Sequence, residues 1–242
     1  MDSRTVKELD KLQVMFLSVL LAVPIKGTPR PAIFWDTGSL SSELEIMKRK
    51  LNLIHHIKSL DDSCLAKEVY NEQLRNNWPG LTQECVEMCD ILDIPNVTTV
   101  ELTKGAWKNK VKKAVQNRNS DNLKKNMETY SKLDKMRLEE KCELKKYFTD
   151  MTMEEARTHF RIRSNTISCK LNQSSDPKNS HSLWKCSACG NIDSQSHILW
   201  CPAYSKLREG KSLDNDRDIA QYYQKVMVIR DKLKLDKRMG AE

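Results

Sequence analysis

Residues 184–204 read Trp184-Lys185-Cys186-Ser187-Ala188-Cys189-Gly190-Asn191-Ile192-Asp193-Ser194-Gln195-Ser196-His197-Ile198-Leu199-Trp200-Cys201-Pro202-Ala203-Tyr204. The spacing is C-x2-C-x7-H-x3-C. Two cysteines three apart form a tight turn that aims both sulfurs inward, and Gly190 permits the left-handed backbone that often follows such a turn. His197 and Cys201 are four apart, so one helical turn puts them on the same face. Asp193 or Ser194 is placed to cap that turn. Together Cys186, Cys189, His197 and Cys201 make a closed tetrahedral set, the arrangement a structural Zn2+ takes. With four protein ligands no position is left for water or substrate, so a catalytic role for the metal is disfavoured. The nucleoside-deaminase pattern, His-x-Glu with Pro-Cys-x-x-Cys, does not occur. The competing reading, two ordinary buried thiols, leaves the His-x-x-x-Cys that follows them unexplained.

Upstream of this unit the sequence punctuates helices. The chain has 242 residues, 39% hydrophobic, with only 7 Gly and 7 Pro, which favours helix over turn-rich sheet. Leu9, Leu12, Phe16, Val19 and Leu20 repeat at helical spacing up to Pro24. Pro24–Gly38, with three prolines and two glycines, reads as an extended connector. A helix with apolar face Leu44, Met47, Leu51, Ile54 and Ile57 is expected from Ser42, with Glu45 completing a capping box. His55 and His56 point about 100° apart on it and do not share a metal. Further helices are expected over Ser63 to Asn76 and Thr82 to Asp93, the second with Cys85 and Cys89 as core residues. Val97–Leu102 is the one short strand the sequence offers. Thr152 and Glu155 form a capping box opening a helix with Ala156 and Phe160. Asp214, Asp216 and Asp218 supply the acidic start of a last helix containing Tyr222, Val226 and Ile229. The fold class is therefore mainly α: an irregular helical array over 1–171, a linker over 172–183, then a small Cys3His unit and a terminal helix over 184–242.

Charge is distributed unevenly. Lys and Arg outnumber Asp and Glu by 41 to 33. The stretch Lys104–Lys146 alone holds 14 basic and 6 acidic residues, an excess equal to that of the whole chain. Leu123, Met127, Tyr130 and Leu133 repeat within it at three and four, predicting one long helix with a basic exterior. A charge run is usually a solvated face; the concentration of the whole excess in one element favours a phosphate-binding surface instead. The candidate contacts are Lys104, Lys108, Lys110, Lys112, Lys113, Arg118, Lys124 and Lys125, with Arg157, Arg161 and Arg163 on the helix before the finger. RNA and DNA are the implied partners. Nothing implies a small-molecule substrate, and the apolar run Val14–Val23 is too short to span a bilayer. Clustered thiols without a secretory signal point to a reducing, intracellular compartment; the nucleus is compatible with this, though no targeting signal is present.

Three stretches, in order, resemble the region that follows the reverse-transcriptase domain in polyproteins of non-LTR (LINE-like) retrotransposons. Leu12–Gly38 carries Leu-Leu-Ala-Val-Pro, Thr-Pro and Phe-Trp-Asp-Thr-Gly and is similar to the segment after the polymerase palm and thumb. Glu155–Ser164, with Lys170, Leu171 and Asn172, is similar to an Arg-rich helix preceding a finger. The Cys-Cys-His-Cys unit ending His-Ile-Leu-Trp-Cys-Pro-Ala-Tyr follows. From about residue 60 to 150 the likeness is one of general character. The resemblance implies a nucleic-acid-binding segment, not a polymerase. A palm needs an aromatic-x-Asp-Asp turn between apolar strands to hold two cations, whereas the only Asp-Asp here, Asp61-Asp62, follows an amphipathic helix and reads as the start of the next. About 40 residues follow Cys201, too few for the endonuclease domain some members carry. The expectation is a non-enzymatic chain; a zinc-stapled scaffold for protein partners is the alternative.

Overall fold

The computed structural model describes residues 3–169 and 184–239, so the expected linker over 172–183 lies outside the described residues. The fold is mainly α, and only two isolated β-bridges occur among the described residues. The order is α1 (Ser3–Leu20), α2 (Arg30–Thr37), α3 (Ser42–Lys58), α4 (Leu65–Asn76), α5 (Leu81–Ile91), α6 (Lys104–Met127), α7 (Asp134–Arg137), α8 (Tyr147–Asp150) and α9 (Met153–Arg163). The short helix Gln195–Trp200 and the terminal helix Asp216–Met239 follow. Among the described residues no helix is long and apolar enough to cross a membrane.

Several local expectations are corrected. The connector Pro24–Gly38 contains α2. Pro31 sits in its first turn, where a missing N–H costs nothing, and Gly38 closes it in the left-handed region at φ 63°. A side chain at Gly38 would also run into the Leu144 backbone. The cap of α3 is Ser41, whose side chain accepts from the Leu44 N–H; Glu45 turns instead to Lys48 and Arg49. Val97–Leu102 is not a strand. Asn96 captures the local donors, its Oδ1 accepting from Thr98 N at 2.9 Å and its carbonyl from Val100 N at 3.0 Å, and among the described residues no partner strand competes. The basic helix stops at Met127, where Tyr130 N closes onto the Met127 carbonyl at 2.9 Å; Tyr130 is exposed and a 3-10 turn carries Leu133 into the core. The apolar row Leu9, Leu12, Phe16, Val19 and Leu20 of α1 faces solvent, while Val14, Leu17 and Leu21 are buried. The Thr152–Glu155 capping box is present as read.

Three apolar clusters organise these helices. The first gathers α1, α2, the end of α6, and Ala156 and Phe160 of α9. The second joins α3, Tyr70, Cys85 and Cys89 to the start of α6. The third combines Ile167 and Cys169 with Cys186, Ile198, Cys201, Tyr204, Tyr222, Tyr223 and Val226. Helix α6 serves the first two through one feature of its sequence. Apart from Ser120, its buried residues, Trp107, Val111, Val115, Asn119, Leu123 and Met127, fall every four positions. Four residues turn about 40° past a full circle, so the stripe rotates by roughly 200° along the helix. Its beginning therefore faces α3, where Trp107 donates to the Leu51 carbonyl and stacks on His55. Its end faces α1 and α2. At the crossover Asn119 donates to the Ser39 carbonyl at 3.1 Å.

Helix α2 is anchored by charge. Asp36 is completely buried and receives both Arg163 nitrogens, Nε at 2.8 Å and Nη2 at 2.9 Å, with the Tyr147 hydroxyl at 2.8 Å. Arg163 also reaches Glu139, which accepts from Trp35 Nε1 at 2.9 Å and pairs with Lys145 at 2.6 Å. Burial works against the Glu139 carboxylate, but its donors Lys145, Trp35 and Arg163 hold its pKa below the ordinary value. Burial opposes charge on Arg163 too, and the two carboxylates outweigh it, so this guanidinium stays charged. Removing one partner of such a pair strands a buried charge and costs about 3–5 kcal/mol. Arg163→Ala is accordingly expected to lose about that much in guanidinium unfolding, whereas the double replacement Asp36→Leu/Arg163→Met should cost far less than the two single changes added together. An Arg163→Ala loss below about 0.5 kcal/mol would remove the pair from any structural role.

Candidate metal centre

The two halves of the Cys3His set arrive on differently built backbones. Cys186 and Cys189 lie on a tight turn: Gly190 N donates to the Cys186 carbonyl at 2.9 Å, Cys186 N to the Asn191 carbonyl at 2.6 Å, and Lys185 and Ile192 form an antiparallel bridge. Gly190 takes φ 80°, the value that a closing turn of this kind demands. His197 and Cys201 come from the short helix Gln195–Trp200 and its C-cap. Ser194 caps that helix, its Oγ accepting from His197 N at 3.0 Å, one of the two caps the spacing suggested.

These elements bring all four ligand atoms within 4.8 Å of one another. Cys186 Sγ lies 4.0 Å from Cys201 Sγ, Cys201 Sγ 3.6 Å from Cys189 Sγ, and Cys189 Sγ 3.2 Å from His197 Nε2. Thiolates about 2.3 Å from a tetrahedral ion stand roughly 3.7 Å apart, so the observed edges fit a single metal. Cys186 and Cys201 are buried; Cys189 and His197 are half-buried. Burial pushes the Cys201 thiol up to about 12. Burial opposes Cys189 as well, but the Asn191 N–H and the neighbouring thiols hold it below its ordinary value. The sulfurs thus differ in readiness to ionise, and a bound cation is what turns the reluctant one into a thiolate.

A polar shell outside the ligands holds them in place, and little of it was legible in the sequence. Asp193, fully buried, donates its N–H to the Trp184 carbonyl at 2.5 Å and accepts from Arg230 of the terminal helix at 2.5 Å. Tyr222 donates to the Ile198 carbonyl at 2.7 Å and Tyr223 to the Gln195 carbonyl at 2.8 Å. Arg208 donates to the Leu199 and Cys201 carbonyls at 2.8 and 3.1 Å. The tyrosine and Arg208 bonds satisfy carbonyls along the six-residue helix and at its C-cap. Gln195 in turn donates to the Ile162 carbonyl of α9 at 2.8 Å, so the unit is docked on the helical array. Of these two tyrosines the sequence pointed only to Tyr222, as a residue of the last helix.

The basic candidates divide into two groups. Lys104, Lys108, Lys110, Lys112, Lys113, Arg118 and Lys125 are exposed on α6, with no ion pair to another described residue. Lys124 is half-buried over the Trp35 ring. The arginines of α9 are occupied internally. Arg157 donates to the Leu20 carbonyl at 2.9 Å and to Glu154, Arg161 donates to the Ala22 carbonyl, and Arg163 is held by Asp36 and Glu139. Arg163, expected as a nucleic-acid contact, is engaged in this structure as an anchor for Asp36 and Glu139. Arg157 and Arg161 cap the C-terminal end of α1, where unsatisfied carbonyls attract cations. Asp61 also has a local task, accepting from Ser63 N at 2.9 Å.

No protein-family model matches this chain, and neither a curated protein nor a solved structure matches it. What stands is a mainly α fold with a Cys3His group able to hold a metal ion. Elemental analysis of purified protein should give about one metal per chain, abolished by Cys186→Ser/Cys189→Ser. Chelation should raise hydrogen exchange through 195–200 and along the terminal helix, because Tyr222 and Tyr223 lose the carbonyls they hold, while α3 to α6 stay protected. Unchanged exchange after complete metal removal would show that the centre holds nothing in place.

Proposed function

We propose that this chain is a non-catalytic nucleic-acid-binding segment of the kind that follows the polymerase domain in non-LTR retrotransposon reverse transcriptases, stapled by a structural zinc. The observation that carries the binding role is helix α6. Seven of its cations are exposed and unpaired among the described residues, whereas the arginines of α9 are engaged by carbonyls and carboxylates of the chain itself. Cations that stabilise nothing internally are the ones available to displace counterions from phosphates. The thiol-rich donor set favours zinc, and it serves position, not chemistry, since it offers no open coordination site. Trp200, exposed on that rigid unit, gives a flat apolar surface on which a base can stack with little sequence preference.

The packing is also consistent with the family resemblance. Phe34-Trp35-Asp36-Thr37-Gly38 and the Arg-rich stretch meet directly through Asp36 and Arg163. The finger docks on the same stretch through Gln195 and Ile162. The three similar segments therefore form one contiguous assembly. In this reading RNA or DNA is the partner, inside the cell, and another domain performs any polymerisation.

A second reading, a scaffold for a protein partner, rests on the exposed row Leu12, Phe16 and Val19 of α1. Salt dependence separates the two. Labelled RNA and DNA oligonucleotides should bind with affinity falling steeply as salt rises. Lys108→Gln/Lys110→Gln/Lys112→Gln/Lys113→Gln should weaken binding and flatten the slope of log affinity against log salt by roughly 0.7 to 0.9 for each phosphate no longer engaged, with helicity unchanged by circular dichroism. Salt-independent or undetectable binding would bring the scaffold to the front.

A further inference from the structure

Helix α6 does not present its lysines on one face. Lys108 and Lys112 lie four apart on one side, and the 100° step per residue puts Lys110 and Lys113 roughly 100–160° around the helix from them. A single partner cannot engage both rows equally. The row that matters is indicated by a groove of about 840 Å3, walled by α1, α3 and α6, that Lys108 and Lys112 line together with Lys48 and Arg49 of α3. Glu45 is the only acidic residue in its lining, against four cations. Glu45 is held by Lys48 and by Arg49 Nε at 3.0 Å, so an internal carboxylate already occupies the place where an anion would be bound.

We infer that this groove is the track for the sugar-phosphate backbone of a single-stranded nucleic acid, with Lys48, Arg49, Lys108 and Lys112 as its phosphate contacts. The inference rests on the proposed nucleic-acid role and narrows it to one site and one ligand form. Lys108 and Lys112 are about 6 Å apart along the helix axis, four residues at 1.5 Å each, comparable to the step between neighbouring phosphates on an extended strand. A strand of a few nucleotides matches a cleft of this volume. No aromatic side chain lines the groove, so it tracks phosphates without reading bases. Lys48 and Arg49 escaped the sequence reading because they lie outside the basic stretch and share a helix face with Glu45.

The full chain is titrated with a fluorescein-labelled 12-nucleotide oligouridylate by anisotropy across a salt series. Lys108→Gln/Lys112→Gln should weaken binding about tenfold and lower the salt slope by roughly 1.4, two phosphates at about 0.7 each for a single strand. Lys110→Gln/Lys113→Gln, with the same charge change on the other side, should have less than half that effect. Glu45→Gln should tighten binding about threefold by freeing Lys48 and Arg49, an effect no loss of structure would produce. Equal weakening by the two lysine pairs, or no tightening by Glu45→Gln, overturns the groove while leaving the nucleic-acid role intact. Tighter binding of duplex than of single strand, or competition by inorganic tripolyphosphate as effective as by the oligonucleotide, overturns it too. Absence of oligonucleotide binding by the wild-type chain overturns both readings.

Discussion

The buried pair of Asp36 and Arg163 is the constraint on which most of the architecture depends. A fully buried carboxylate is tolerated only when its lone pairs are filled, and here two guanidinium nitrogens and a phenol fill them. The fork geometry fixes both distance and orientation, so α2 cannot slide along α9 without breaking two bonds at once. Trp35, the neighbour of Asp36, is completely buried against the same network and donates to Glu139. The cluster thereby holds the loop after α7 as well as the two helices.

From α9 the constraint passes to the C-terminal part of the chain. Gln221 donates to Glu155 at 2.7 Å, Gln224 to Thr158 at 3.3 Å, and Gln195 to the Ile162 carbonyl. The metal-binding unit is thus not a bead on a string. Ile167 and Cys169 share a core with Ile198, Cys201 and Tyr222, so packing runs across the boundary that composition placed over 172–183. A unit of some twenty residues cannot bury enough surface to hold itself; it draws on the ligand set from within and on the terminal helix from without.

Helix α6 shows how a single sequence feature can do two jobs. Apolar residues every four positions drift steadily around the helix instead of forming a straight stripe, and the resulting rotation lets one helix close two cores. The same rotation carries the lysines around with it, which is why a run that looks uniform in sequence becomes two rows with different surroundings. Exposure and partner, not charge density, separate the cations of α6 from those of α9.

The sequence alone determined the helical class, the Thr152–Glu155 cap and the four positions that could hold a metal ion. Each of these follows from short-range spacing: 3.6 residues per turn, a capping side chain three residues from its donor, or sulfurs aimed by one tight turn. The sequence could not determine that Pro24–Gly38 hides a helix, because the prolines that discourage one are harmless in its first turn and the anchor for it, Arg163, lies 127 positions from Asp36. Nor could it show that the three arginines of α9 are internal caps and anchors, or that Glu45 shares a groove with lysines of a distant helix. Those assignments depend on which surfaces meet. A charged side chain looks the same in sequence whether it ends in water or against a buried carboxylate, and only the packing of α2, α6 and α9 decided which.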